Sequence, residues 1–252
     1  MLESLKRLFA RRAIDRDLTD ISQWAQRRGL GFKRARGDDG FVIDGTLEGK
    51  PWRIEWGPPH RPYIAGHELR LRMELDLPSD MQMLLLSRPL MDALERQTFE
   101  EFTDNVQTQI GTKTPEEMRW LVMFPKVDLS TLKALRARFG AVASLPAAGL
   151  AWLDGPLAHA LEQATKTLLR DDPPFVLMTL RGRVFLRMLL VSPESKSVAA
   201  ALALFETAVT QTLHALQAAD GVASRVSNRD SGASTAWQSL QPVPRGEPRG
   251  RR

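Results

Sequence analysis

The chain has 252 residues, a formal net charge of +5, and 43% hydrophobic and 26% charged residues, the balance of a globular protein long enough to bury a sizeable core. It has no cysteine, which excludes disulfides, thiolate catalysis and Cys-based zinc or iron–sulfur sites and fits a reducing, cytoplasmic setting. The charge is uneven: residues 1–36 carry ten Lys/Arg against four Asp/Glu, residues 221–252 carry six against two, and the span between them is net acidic.

Residues 1–30 read as an N-terminal amphipathic helix. Leu2, Leu5, Leu8 and Phe9 make one apolar stripe, flanked by Lys6, Arg7, Arg11 and Arg12, and Ile14, Leu18, Ile21 and Ala25 make a second. Gly29 and Gly31 suit its end. The opening residues lack the apolar core and small-residue cleavage site of a secretory signal. The longest apolar run, 198–205, is well short of the ~18 residues a membrane-spanning helix needs.

Residues 31–111 read as an antiparallel sheet plus a helix. Strands are expected at 31–36, 40–48, 51–56 and 68–77, with turns at Asp38-Asp39-Gly40 and Glu48-Gly49-Lys50. The last strand alternates throughout: Glu68, Arg70, Arg72, Glu74 and Asp76 on one face, Leu69, Leu71, Met73, Leu75 and Leu77 on the other. Such alternation marks a strand with one buried and one wet face, and with it a half-solvated antiparallel sheet. A further strand at 81–87 and a helix from Pro89 to about Ile110 follow.

Residues 112–220 read as a second α+β half, in the same domain or in one of its own. Residues 115–124 fit a helix opened by Thr114-Pro115-Glu116-Glu117, or a buried strand over 120–124. A helix at 129–139 stopped by Gly140, a short strand at 149–153, a helix at 156–170 and an apolar hairpin at 175–191 come next. The clearest helix is 195–219, with Val198, Leu202, Phe205, Val209, Leu213 and Leu216 at helical spacing. Beyond Gly221 the composition turns to Ser, Gly, Pro, Arg and Gln, so 221–252 reads as a disordered basic tail. The fold class expected is α+β: antiparallel sheet covered by helices, a long C-terminal helix packed on it, and a disordered tail.

No catalytic motif is present. Gly45-Thr-Leu-Glu-Gly49-Lys50 has three residues between its glycines and leads into a strand, so it cannot be a phosphate loop. The histidines, His60, His67, His159 and His214, form no helical metal motif, and neither metal nor cofactor is expected. Three places remain as binding candidates. The first is the Pro-rich loop 57–67, with His60, Arg61, the only tyrosine, Tyr63, and His67; its two histidines could meet, with Glu68 beside them. The second is the charged strand face, Arg53, Glu55, Arg70 and Arg72, where opposite charges can pair across strands. The third is the basic N-terminal helix. Mixed-sign, self-pairing charge points to a non-enzymatic protein-binding or adaptor module of unknown oligomeric state. The alternatives are a peripheral binder of anionic membrane or nucleic acid, acting through the N-terminal helix and tail, or an enzyme with its site on the 57–67 loop.

Overall fold

A computed structural model describes residues 17–35, 40–104 and 114–234. The first stripe of the N-terminal helix, the turn at Asp38-Asp39 and residues 235–252 of the expected tail lie outside the described residues. Helix α1 spans 17–27. It is followed by β1 (Gly31–Arg34), β2 (Phe41–Leu47), β3 (Lys50–Gly57), β4 (Glu68–Glu74), β5 (Met83–Ser87) and α2 (Arg88–Asp104). Then come α3 (Glu116–Met123), α4 (Lys133–Arg138), β6 (Phe139–Ala143), α5 (Pro146–Leu153), α6 (Pro156–Lys166), β7 (Phe175–Leu180), β8 (Arg183–Leu189) and α7 (Ser195–Ser234).

All eight strands join one sheet in the order β1-β2-β3-β4-β8-β7-β5-β6, with every neighbouring pair antiparallel. Strands from the two sequence halves interleave: β4 pairs with β8, and β5 lies between β6 and β7. The hairpin turns at Glu48-Gly49 and Arg181-Gly182 have both central residues at positive φ (51° and 78°, 51° and 77°), the geometry whose twist matches the flanking strands.

Register sorts the side chains onto two faces. On the first, Ile43, Trp52, Ile54, Trp56, Leu69, Leu71 and Leu186 are buried, as the alternation in 68–77 requires. This face forms the main core under α1, α5, α6 and α7, to which α7 adds Val198, Leu202, Phe205 and Val209. On the second face, one cross-strand row runs Asp44, Arg53, Arg72, Phe185, Met178, Leu84, Val142. It is charged at one end and apolar at the other. Helices α2 and α3 cover only the apolar end, in a second cluster built on Leu84, Leu86, Val142, Val176 and Met178. The charged half, on β2, β3, β4 and β8, has no helix over it among the described residues.

Several elements differ from the sequence expectation. Of the two readings of 115–124 the helix holds, as Glu116–Met123, but Pro115 rather than Thr114 takes the capping position, with no side-chain cap. The helix expected at 129–139 shortens to α4, because Phe139–Ala143 pairs with β5 as the edge strand β6; Gly140 therefore sits inside a strand. There a side chain would collide with the sulfur of Met91. The expected strand at 149–153 is instead part of α5. Pro146 fits its first turn, and Gly149 lets it lie against Val127 and Ala143, where a Cβ would approach within 2.8 and 2.9 Å. Helix α7 continues past Gly221 to Ser234, beyond the point where a tail is expected. Among the described residues no helix is long and apolar enough to cross a membrane.

Candidate functional site

The 57–67 loop and the charged sheet face meet in one ion-pair network. Its centre is Glu68, the first residue of β4, whose side chain is 0% exposed. One carboxylate oxygen accepts the backbone N–H of His60 (2.6 Å) and Arg70 Nη1 (3.2 Å); the other accepts Arg187 Nη1 (2.8 Å). Arg70 also donates to Pro58 O (2.9 Å) and, through Nε, to Glu55 Oε2 (3.3 Å). The second oxygen of Glu55 lies 3.4 Å from Arg72 Nη2. The result is a continuous chain, Arg72–Glu55–Arg70–Glu68–Arg187, across three strands.

Register explains why the glutamates are needed. Arg53 stands directly opposite Arg72 across β3 and β4, and Arg70 directly opposite Arg187 across β4 and β8. Like charges at facing positions repel. Glu68 clamps the inner pair. The outer pair leans apart, Arg72 to Glu55 and Arg53 to Asp44, where Nε donates over 2.6 Å. Arg53 and Arg72 remain 43% and 48% exposed, against 14% for Arg70 and Arg187.

A second carboxylate holds the far part of the loop. Glu117, also 0% exposed, receives Arg61 Nε (3.0 Å) and the Tyr63 hydroxyl (2.9 Å) on one oxygen, while Arg61 Nη2 reaches Glu116 (3.3 Å). Glu116 and Glu117 form the first turn of α3, where the helix dipole favours negative charge. The loop is thus tied to the sheet by Glu68 and to α3 by Glu117.

These contacts set the protonation states. Burial would raise the Glu68 carboxyl, but the His60 N–H and the Arg187 guanidinium outweigh it and hold Glu68 below the usual range. Burial, assisted by Arg70, lowers the His60 imidazole below its usual range. Burial and the adjacent Glu117 push Tyr63 up. Tyr63 is the only tyrosine in the chain, so near-ultraviolet phenolate absorbance reports it alone. The native protein is expected to show no phenolate near pH ~10, where an unfolded tyrosine titrates, and to gain it at higher pH or on unfolding. A native titration midpoint near 10 would contradict the Tyr63–Glu117 contact.

Comparison with protein-family models finds no match for the chain, and comparison with curated proteins finds none either.

His60, Arg61, Tyr63, Glu55, Arg70 and Arg72 therefore belong to one assembly, with Arg53 at its outer margin. His67 does not. It precedes β4 on the other face, stacked on Trp56 (centroids 4.4 Å apart, planes at 9°), so the expected meeting of His60 and His67 does not occur. Among the described residues no group of three His, Asp or Glu side chains could hold a metal ion. The basic residues Lys6, Arg7, Arg11 and Arg12 lie outside the described residues. Sequence reasoning missed Arg187, Glu116 and Glu117 as members. Arg187 had a signal: an arginine inside the apolar run VFLRMLLV needs a buried carboxylate opposite it.

Proposed function

We propose that the chain is a protein-binding module whose charged sheet half, over which no helix lies among the described residues, receives a partner segment carrying carboxylates. The observation that carries this reading is the outer arginine pair, Arg53 and Arg72, facing each other half-exposed on the part of the sheet that α2 and α3 leave open. Their present partners, Asp44 and Glu55, are surface pairs contributing about 0–1 kcal/mol, so an incoming carboxylate can displace or share them at small cost. The buried network beneath favours binding over catalysis, because the Arg61 and Tyr63 side chains are committed to Glu117 and the His60 backbone N–H to Glu68, which ties the loop down as a platform.

The test compares wild type with the double variant Arg53→Glu/Arg72→Glu as immobilised baits, with quantitative identification of what each retains and circular dichroism to verify folding. The expected result is a salt-sensitive partner whose capture falls about tenfold or more on charge reversal. Identical retention by both baits would overturn the proposal.

A further inference from the structure

β6 is an edge strand whose outer edge is closed in two different ways. Over residues 141–143 a crossing segment bonds to it: Val127 N–H donates to Ala141 O (2.9 Å) and Ala143 N–H to Pro125 O (3.2 Å). At Phe139 the guanidinium of Arg88 substitutes for a neighbouring strand, with Nη2 donating to Phe139 O (2.5 Å) and to Arg136 O (3.1 Å). Between the two closures lies a cavity of about 350 Å³, within the size range of small-molecule sites.

Its floor is apolar and buried, formed by Met91, Val127, Leu129 and Ala141. Its rim is charged, with Arg88, Lys126, Arg136 and Asp128. Arg88 is fixed by carbonyl groups, which orient its guanidinium without cancelling its charge. Lys126 is paired with Glu95 at 2.9 Å in an exposed contact that a third group can enter. The Asp128 carboxylate is occupied by the N–H and hydroxyl of Ser130, both at 2.9 Å, and lies within electrostatic reach of Arg136. Three cations thus stand around a greasy floor against two carboxylates, Asp128, held by Ser130, and Glu95, paired with Lys126, which leaves Arg88 on its carbonyl partners.

We propose that this corner binds a small organic carboxylate with an apolar body, the carboxylate between Arg88, Lys126 and Arg136 and the hydrocarbon against Met91, Val127 and Leu129. The site is separate from the open sheet half, so each can fail without the other.

The probe is sodium octanoate, titrated into the full-length protein by calorimetry and by backbone-amide NMR, with 1-octanol and inorganic phosphate as comparators. Octanoate is expected to saturate one site, to shift amides in 126–141, and to bind about tenfold tighter than either comparator. Arg136→Ala, an exposed change, should weaken it about tenfold while Arg170→Ala, on another surface, leaves it unchanged. Equal binding of octanol or of phosphate, shifts centred elsewhere, no effect of Arg136→Ala, or no saturation up to about 10 mM would each overturn the proposal.

Discussion

Glu68→Gln is expected to destabilise the protein by about 3–5 kcal/mol, because it leaves Arg70 and Arg187, each 14% exposed, without the charge that both surround. The size of the loss comes from stranding the shielded Arg187 and leaving Arg70 with Glu55 as its carboxylate, rather than from any large net contribution of the pairs themselves. A triple variant, Glu68→Leu with Arg70→Met and Arg187→Met, is therefore expected to recover most of that stability. Denaturant unfolding of the two variants checks both statements. A triple variant as unstable as Glu68→Gln would mean that the ion pairs themselves carry the stability. The same carboxylate fixes a pH dependence. Its folded pKa lies below the unfolded value of about 4.3, so its contribution is complete above that pH and is lost as the pH falls through the folded value. Glu68→Gln should flatten that acid limb of the stability profile.

Trp56→Ala is expected to cost a similar amount, about 3–5 kcal/mol. The Trp56 ring is stacked between Phe41 (5.9 Å, 17°) and His67 (4.4 Å, 9°), and its indole N–H donates to Leu190 O over 2.8 Å. It thereby joins β2, β3, the end of the 57–67 loop and the chain leaving β8. Trp56→Phe keeps most of the apolar area and loses the hydrogen bond, so a loss of about 1–2 kcal/mol is expected from it. A thermal or urea series that places Trp56→Ala within ~1 kcal/mol of wild type would show that the stack is dispensable.

Period-two and period-3.6 patterning made the sheet and its main helix legible. The alternation from Glu68 to Leu77 and the spacing from Val198 to Leu216 each state a burial direction residue by residue, and Leu69, Leu71, Val198 and Leu202 are buried accordingly. Short elements were harder to read. FGAVA, with two alanines and a glycine in five residues, resembles the end of a helix until β5 is known to lie beside it, and α5 carries a glycine, Gly149, whose use is its close packing on Ala143 of β6. The candidate site was half legible. The loop and the charged face were visible locally, but which charges face one another is decided by the pairing of β4 with β8, across more than a hundred residues of chain. Alternation alone also assigns Glu68 to solvent with Arg72 and Glu74; the 57–67 loop, closing over the start of β4 through the His60 N–H, puts it inside.

The pairing of β4 with β8 also bears on how the chain is made. Translation delivers Glu68–Glu74 more than a hundred residues before Arg183–Leu189, so over that interval the growing polypeptide presents β4 with a raw border, and Glu68 waits for Arg187. The sheet can close between β4 and β7 only once β8 has been made.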